Sequence, residues 1–353
     1  MDVTQLLTMA VEKKASDIFI IAGLPLTCKI NGSILRLGET RLMPEDTASL
    51  IGEIYRLAGD RDSRLVTDDG DDDFSFALKG VSRFRVCTYK QRGSLAAVIR
   101  VVNFTLPNPA DLGIPENILQ LADRTKGLVL VTGPAGSGKS TTLACIIDRI
   151  NHTRSSHVIT LEDPLEYLHS HNKSIVSQRE ISSDTVSYVT ALRAALRQSP
   201  DVILLGEMRD YETINVAMTA AETGHLIIST LHTIGAAKTI DRIIDAFPPN
   251  QQHQIRLQLS MVLQAVVSQQ LIPTVDGGIV PAFELMFANG AIRNMIRESK
   301  THQIDSAIFS GANEGMVAMD TSIYQLYTKG IIAEKDALLY STNPDMMNKR
   351  IRS

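Results

Sequence analysis

A glycine-rich octapeptide at residues 133–140 contains the residue types best suited to chemistry. It reads Gly-Pro-Ala-Gly-Ser-Gly-Lys-Ser and matches the GxxxxGK[ST] pattern at every specified position. Glycines let backbone N–H groups converge on phosphate oxygens, and the amino end of a following helix adds partial positive charge. We therefore predict a nucleotide-binding loop made of Gly133, Pro134, Ala135, Gly136, Ser137, Gly138, Lys139, Ser140 and Thr141.

Two side chains of this loop have predicted roles of their own. The Lys139 ammonium is expected to neutralise the β- and γ-phosphates, and the Ser140 hydroxyl is expected to bind Mg²⁺. Such a loop binds a nucleotide, but hydrolysis also needs a further metal ligand and an oriented water molecule.

Three polar residues that could complete a hydrolytic site follow apolar runs typical of buried strands. Glu162, Glu207 and His232 each come within two residues of the end of such a run. Because α/β sheets bind ligands at the carboxyl ends of their strands, we predict all three as catalytic residues, with Glu207 joining Ser140 as a metal ligand. Taken singly, each has the alternative role of a hydrogen-bonded structural residue. The choice of water-activating carboxylate stays open.

Two pairs of arginines are candidates for contacts with phosphate charge. Arg193 and Arg197 are four residues apart, which places them on one face of a predicted helix. We predict them as catalytic, because arginine stabilises the charge of phosphoryl transfer from the same chain or from a neighbour. Arg83 and Arg85 alternate with apolar residues and share one face of a predicted strand, so we predict that they contact nucleotide across a subunit boundary. A solvated or ion-paired face is the alternative for both pairs.

The elements that must position these residues suggest an α/β protein. The chain has 353 residues, which predicts two or three domains. Residues 1–102 have the pattern of a small α/β domain, and the three prolines of residues 103–115 predict a linker. From 116 to 353, buried strands alternate with helices, as in a mostly parallel sheet covered on both faces. Beyond about residue 250, the chain is predicted to be mainly helical.

The predicted elements can be given by residue number. In the first domain they are helices at 3–11 and 44–57 and strands at 17–21, 26–30, 33–37, 74–78, 81–89 and 95–102, with a hairpin turn at Asn31-Gly32. In the second domain they are strands at 127–132, 157–161, 202–205 and 226–230, with helices between them. The acidic run Asp68–Asp73 is predicted to be a solvated loop rather than a binding site.

Composition limits the class of protein. The net charge is −4, so no strong basic field favours a nucleic-acid partner. The three cysteines are isolated, which supports neither a zinc site nor a disulfide framework and fits a reducing cytosol. There is no signal-peptide pattern and no run of 18 apolar residues, so we expect a cytoplasmic protein without a membrane span.

Five blocks of the sequence, in this order and spacing, resemble the secretion-ATPase superfamily and, within it, the PilT-type motors that retract type IV pili. They are Gly133–Thr142 (Walker A), Ile159–Tyr167 (the Asp box, with Glu162), Pro200–Asp210 (Walker B, with Glu207), Gly224–Thr233 (the His box) and Ala291–Glu298. The last is similar to a C-terminal signature that the family needs for retraction rather than for hydrolysis. Its residues are Ala291, Ile292, Arg293, Asn294, Met295, Ile296, Arg297 and Glu298.

That last block has an alternative interpretation as an ordinary amphipathic helix. In it, Ala291, Ile292, Met295 and Ile296 have helical spacing and would pack into a core. The charged residues of the block would then be solvated.

The resemblance implies a fold and a function. The N-terminal domain is expected to be PAS-like, and the rest to be a RecA-like P-loop ATPase domain with a mainly helical C-terminal part. Six identical chains are expected to form a ring that uses ATP and Mg²⁺, with nucleotide between the two domains and near a neighbour's N-terminal arginines. The implied function is a motor that drives pilus retraction and twitching motility by turning an inner-membrane platform protein of the type IV pilus machine. It would then be associated peripherally with the inner membrane.

Some features leave alternatives open. Ala135 stands where many relatives have Thr, and Ile18-Phe19-Ile20 replaces a Leu-His-Leu, as in accessory PilU-type motors. The four-cysteine zinc motif of pilus-extension ATPases is absent from the sequence, which favours retraction. The alternatives are an accessory motor, a related ATPase of a secretion or conjugation channel, and a nucleic-acid-dependent RecA-like translocase. The pI of about 6.1 argues against the last of these.

Overall fold

The computed structural model describes residues 2–30, 32–102 and 106–352, and its chain divides into two compact units. One unit comprises Met1–Thr105 with Pro164–Leu168, and the other comprises Leu106–Asp163 with His169–Ser353. Asn31 of the predicted turn and residues 103–105 of the predicted linker lie outside the described residues. The domain boundaries 1–102, 103–115 and 116–353 stay a prediction.

The first unit is built around an antiparallel sheet. Its elements are α1 (Val3–Glu12), β1 (Ala15–Ile20), β2 (Pro25–Ile30), β3 (Ser33–Arg41), α2 (Pro44–Leu57), a π-helical turn (Leu65–Asp69), β4 (Asp71–Leu78), β5 (Ser82–Gln91) and β6 (Ser94–Val102). Among its described residues, six strands pair in the order β3-β2-β1-β6-β5-β4, all antiparallel. Leu6 of α1 and Ile54 of α2 are fully buried in one core with Ile99 and Phe84 of the sheet. The apolar periodicity of both helices therefore faces the sheet.

The acidic run was predicted incorrectly as a solvated loop. Asp71–Asp73 begin β4, and Asp72 is buried with 8% of its surface exposed. It accepts hydrogen bonds from the Tyr55 hydroxyl at 2.9 Å and from Nε and Nη2 of Arg61, both at 2.8 Å. A run of like charges is usually solvated, but strand alternation turned this one carboxylate inward, where an arginine compensates the cost of its burial.

The second unit contains the larger sheet. Its elements are α3 (Glu116–Leu119), a 3₁₀ turn (Gln120–Asp123), β7 (Gly127–Thr132), α4 (Lys139–Thr153), β8 (His157–Glu162), β9 (Ile175–Glu180), α5 (Tyr188–Ala195), β10 (Val202–Leu205), α6 (Tyr211–Glu222), β11 (Leu226–Leu231), α7 (Ala236–Asp245), α8 (Gln252–Val262), β12 (Leu263–Pro273), β13 (Ile279–Phe287), α9 (Gly290–Arg297), a 3₁₀ turn (Thr301–Gln303), α10 (Ile304–Ser310), a 3₁₀ turn (Gly311–Glu314), α11 (Met319–Thr328), α12 (Glu334–Tyr340) and α13 (Pro344–Arg352).

Seven strands within residues 106–352 pair in the order β13-β12-β7-β11-β10-β8-β9. They are parallel except for β13, which runs antiparallel to β12. One face packs against α5 to α10 and the other against α3 and α4. Every residue of β7 and β11 is buried, which explains their mainly apolar sequences and confirms the prediction of a mostly parallel sheet covered on both faces.

Three strands of this sheet were missed. The region after residue 250 is helical for most of its length, but β12 and β13 lie within it, and β9 was not predicted either. Polar residues at 268–270 interrupt the apolar run of β12, and the last residue of α8 is followed at once by the first of β12, with no glycine or proline to mark the change. Periodicity alone does not separate such a strand from a helix.

None of the helices in the described ranges 2–30, 32–102 and 106–352 combines the length and apolar character that a membrane crossing requires.

Candidate nucleotide site

The glycine-rich loop connects β7 to α4, as its sequence predicts. The strand ends at Thr132 and the helix begins at Lys139. At Gly133, where the chain leaves the strand, φ is +144°, and a Cβ would lie only 2.2 Å from the backbone oxygen of Gln269 on β12. Glycine is therefore required at this position by both the dihedral angle and the close approach of β12.

The lysine of the loop is enclosed by the loop's own backbone. Lys139 is 8% exposed, and its ammonium donates hydrogen bonds to the carbonyl oxygens of Gly133 and Pro134, both at 2.9 Å. Near it, the Ser137 hydroxyl is buried and has no hydrogen-bond partner among the described residues. A buried hydroxyl without a partner fits a loop that binds an oxygen-rich ligand, since such a group otherwise costs free energy.

Gln269 is a residue of the site that the sequence did not reveal. Its side chain, 3% exposed, accepts a hydrogen bond from the Thr142 hydroxyl in the first turns of α4 at 2.7 Å. It thereby ties β12 to the helix that begins at the loop. The available signal was the run of polar residues at 268–270 within a strand that is otherwise mainly apolar.

The structure brings Lys139, His232 and Glu207 into one chain of contacts. Glu207 follows β10 and is 9% exposed, while His232 follows β11. The His232 Nε2 atom lies 3.4 Å from Glu207 Oε2, and its Nδ1 lies 3.4 Å from the Lys139 ammonium. Three neighbouring strands, β7, β11 and β10, therefore deliver the three residues to the same edge of the sheet, as the sequence predicted.

Arg209 is a second residue that was missed. Its Nη2 atom lies 2.6 Å from the other Glu207 oxygen, and the hydrogen bond and charge of Glu207 raise the pKa of the guanidinium. Arg209 and His232 thus hold the Glu207 carboxylate from two sides. The carboxylate oxygens and the Ser140 hydroxyl are the hard ligands that Mg²⁺ prefers, so this donor set fits the ion.

Glu162 ends β8, the strand next to β10. Its Oε1 atom lies 3.5 Å from Gln178 Nε2. A Cβ on Gly206 would lie 3.4 Å from the Glu162 Cα and 2.7 Å from the Tyr188 hydroxyl, which shows how closely these groups pack. Burial raises the pKa of Tyr188, and the charges of Glu207, Asp163 and Glu162 raise it further, so the phenol stays protonated beside the carboxylates.

The arginines predicted from helical spacing are placed differently from what we expected. Arg193 lies in α5 and pairs with Glu212 of α6 at 2.8 Å, with more than half of its side chain exposed. Helix α5 ends at Ala195, so Arg197 lies beyond it, and the premise of one shared helical face was wrong. The backbone N–H of Arg197 bonds the carbonyl of Ala194, as in a terminal turn. A catalytic role for either arginine stays a prediction.

The strand arginines do share a face. Arg83 and Arg85 are half-buried on β5, where they alternate with the buried Phe84 and Val86. Arg85 donates through Nε at 3.1 Å and Nη2 at 2.6 Å to the Asp73 carboxylate of the neighbouring β4. Their contact with nucleotide stays a prediction.

Comparison with known proteins identifies the family. Residues 1–312 match the profile of the type II/IV secretion system protein family. The chain is 44% identical to the type IV pilus retraction ATPase PilT of Pseudomonas aeruginosa, over 96% of this chain and 97% of that protein. The chain belongs to the type II/IV secretion system protein family. The solved structure of the pilus retraction motor PilT with bound ADP is similar at TM-score 0.91 and 46% identity, covering 99% of both chains.

Two further proteins are also similar to this chain. The type IV pilus ATPase PilU of Pseudomonas aeruginosa is 37% identical over all of this chain and 92% of its own. The structure of the Legionella pneumophila ATPase DotB is similar at TM-score 0.82 and 28% identity, covering 96% of this chain and 95% of that one. Both are less similar to this chain than PilT is. The predicted resemblance to PilT-type ATPases is therefore confirmed, together with the α/β fold and the ATPase class.

The block Ala291–Glu298, predicted as a C-terminal signature, lies in α9 except for Glu298, which caps the end of that helix. Asn289 caps the helix by accepting a hydrogen bond from the Ile292 N–H at 3.0 Å, and Ile292 and Ile296 are fully buried. Ala291, expected in the core under the amphipathic interpretation, is exposed. Arg293, expected to be solvated under that interpretation, is instead half-buried.

The Arg293 guanidinium binds the carbonyl oxygens of Ser260 and Met261 at 2.6 and 2.8 Å. Burial lowers its pKa, and the neighbouring charges of Arg124 and Arg297 lower it further. Arg293 therefore closes the carboxyl end of α8, where orphan carbonyls need donors. Arg297 remains exposed on the outer face of the helix.

Proposed function

We propose that this chain is the subunit of a PilT-like ATPase motor that converts ATP hydrolysis into retraction of a type IV pilus. The observation that carries the proposal is the contact chain Lys139–His232–Glu207 at the edge of the sheet, directly beside the glycine-rich loop. The similarity of this protein, over nearly its full length, to a named retraction ATPase supports the motor function. Similarity to the twitching motility protein of Neisseria gonorrhoeae, 43% identical over 91% of this chain and 85% of that protein, also supports it.

In this proposal the loop binds the nucleotide phosphates and Lys139 supplies the charge that neutralises them. Ser140 and Glu207 would hold Mg²⁺, which neutralises the phosphates when bound. Arg209 and His232 keep the Glu207 carboxylate in one orientation, so that little reorganisation accompanies the reaction. Glu162, which ends β8 on the far side of β10 from β11, is proposed to orient water.

The two carboxylates need not share a role. Glu207 is proposed to hold Mg²⁺ together with Ser140, so we assign water activation to the second carboxylate at this edge of the sheet, Glu162 at the end of β8. Glu162→Gln should retain Mg²⁺-dependent ATP binding but lose turnover by at least about 100-fold, as expected for loss of a general base. Glu207→Gln should weaken the Mg²⁺ dependence of ATP binding, and an unchanged dependence would reverse the assignment.

The assembly is proposed to be a homohexamer that acts, without nucleic acid, on an inner-membrane platform protein of the pilus machine. It would be cytoplasmic and peripheral to the membrane. Arg83 and Arg85 are proposed to contact a neighbour's nucleotide, and Arg193 and Arg197 to contribute charge near the reaction. Arg85 already binds the Asp73 carboxylate. On reaching a phosphate, its guanidinium would therefore either bind both groups or release Asp73.

The site assignment is tested by Lys139→Ala. We expect nucleotide binding, measured by calorimetry, and ATP turnover to be lost, because a phosphate-facing charge is removed from a buried position. Lys126→Ala is the matched control, since Lys126 is an exposed lysine just before β7. Near-normal turnover of Lys139→Ala would show that the site is elsewhere.

The motor function is tested by deleting the gene and measuring pilus retraction and protein secretion in the same cells. Loss of retraction that Lys139→Ala does not restore supports the proposal. Normal retraction with blocked secretion would select a secretion-channel ATPase. Loss of retraction only under load, with a second motor present, would select the accessory role.

A further inference from the structure

A buried carboxylate on β13 holds the start of the helix that follows the His box. Glu284 is 6% exposed, and its Oε1 atom accepts a hydrogen bond from the N–H of Ala236, the first residue of α7, at 2.7 Å. The N–H of Met319, the first residue of α11, also faces this carboxylate and stabilises its charged form. The amino ends of helices carry unpaired N–H groups and partial positive charge, so one carboxylate serves both.

The segment between β11 and α7 is short, and His232 is its first residue. Its last residue, Gly235, donates its N–H to the Ser268 hydroxyl of β12 at 2.9 Å. The Gly235 carbonyl accepts a hydrogen bond from Thr239 at 2.8 Å, and the Thr239 hydroxyl also contacts that of Thr233 at 2.8 Å. Side chains of β12 and β13 therefore hold Gly235 and Ala236 against the sheet, while Thr233 is tied to the first turn of α7.

We propose that Glu284, assisted by Ser268, is a positioning residue that sets the place of His232 beside Glu207 and links it to the C-terminal helices. The inference rests on the proposed role of His232 at the nucleotide site. The link runs through adjoining backbone: β11 ends at Leu231, His232 follows, and Glu284 binds the chain again at Ala236.

The surroundings of Glu284 connect it to the C-terminal helices. The carboxylate lies on the wall of a cavity of about 1170 Å³ that is bordered by α7, α10, α11, α12 and α13. The charged groups on these elements that line the cavity are Lys238, Asp305, Asp320, Lys349 and Arg350. A displacement of α11 or a ligand in this cavity would therefore act directly on the group that holds the start of α7.

Glu284 also changes charge close to neutral pH. Burial, with a smaller contribution from the charges of Asp305 and Asp320, raises its pKa to about 7 against the opposing effect of the Ala236 and Met319 N–H groups. Burial raises the pKa of Asp305, and the positive charge of Lys238 opposes that shift. The ionised carboxylate is the stronger acceptor for both N–H groups, so its hold on α7 is firmer above about pH 7 than below it.

Glutamine at position 284 imitates the protonated acid, and this permits a sharp test. In wild type and Glu284→Gln, kcat should agree within about twofold at pH 6, and the wild-type value should exceed the variant's by about tenfold at pH 8, as loss of one charge-assisted hydrogen bond predicts. The KM for ATP should change less than kcat, because the phosphate loop is untouched. Asp305→Asn, in the same cavity but without a hydrogen bond to α7, is the control: it should keep the wild-type kcat at pH 8, with the midpoint of its pH profile moved to lower pH because a charge that raises the pKa of Glu284 is removed.

Hydrogen–deuterium exchange of residues 232–240 provides a readout that does not depend on turnover. At pH 8, Glu284→Gln and Ser268→Ala should exchange these amides about tenfold faster than wild type, since each loses one backbone anchor. The inference would be overturned if Glu284→Gln and Ser268→Ala had the same exchange rates and the same pH profile as the control Asp305→Asn. Faster exchange with unchanged kcat would also overturn it.

His232→Ala separates this inference from the proposed function. If that variant keeps wild-type turnover, then the proposed role of His232 is wrong, whatever the exchange measurements give. If it loses turnover and Glu284→Gln keeps the wild-type pH profile, only the positioning role fails.

Discussion

Gly133→Ala is the substitution for which the structure predicts the largest cost within the phosphate loop. The new Cβ would lie 2.2 Å from the backbone oxygen of Gln269, a contact that has to lengthen to at least 3.0 Å. That oxygen belongs to β12, which is paired with β7 on one side and with β13 on the other. The strand is therefore not free to move away without disturbing two ladders of hydrogen bonds.

The magnitude follows from two separate effects. A non-glycine residue held at a φ of +144° costs about 1–3 kcal/mol in backbone strain. Inserting a methyl group against fixed backbone costs a further ~1–3 kcal/mol. We therefore expect a loss of about 3 kcal/mol or more in the local unfolding free energy of the second unit.

Gly136→Ala in the same loop is the matched control. Its φ of +76° gives backbone strain, but a Cβ there meets nothing within 4 Å. Only the conformational cost remains, about 1–2 kcal/mol. The two variants thus separate the effect of the dihedral angle from the effect of close approach.

Native-state hydrogen exchange of the β7 amides is the appropriate assay, because a chain of two units need not unfold in one step. The exchange free energy should fall by about 2 kcal/mol more in Gly133→Ala than in Gly136→Ala, because backbone strain is common to both variants and only the first inserts a methyl group against fixed backbone. Equal losses in the two variants would refute the reasoning, since the nearby backbone oxygen of Gln269 would then not exclude a Cβ at position 133.

The remaining predictions concern three charged residues. Burial raises the pKa of Asp72, but hydrogen bonds from Arg61 and Tyr55 and the Arg61 charge outweigh it and hold the pKa below its ordinary 3.8. This stabilisation is therefore present at neutral pH and is lost as pH falls below 3.8. When unfolding is measured as a function of pH, Asp72→Asn should be less stable than wild type at pH 7. The variant should also lack the loss of stability that protonation of Asp72 causes in the wild type. Arg293→Ala should destabilise the protein by about 1–3 kcal/mol in thermal unfolding, because two helix-end carbonyls lose their donor. Arg297→Ala, on the exposed face of the same helix, should keep folding and ATP turnover but abolish retraction; loss of turnover in proportion to motility would contradict a coupling role.

The sequence was sufficient for features that depend on neighbours along the chain. The phosphate loop requires particular residues at a fixed spacing, and β7, β10 and β11 show themselves as short apolar runs because every residue in them is buried. The carboxyl ends of parallel strands meet at one edge, so the positions of Glu207 and His232 next to the loop also followed from the pattern.

Partners that are distant along the chain were decided by the fold. Gln269, Arg209 and Glu284 carry no local signature of their contacts, since each depends on which strand or loop lies beside it. The same reason explains the errors: Asp72 and Arg293 look like solvated charges until an arginine or a helix end is brought against them. The spacing of residues reports the local structure of a segment. Strand order and helix packing determine which buried polar group finds a compensating partner.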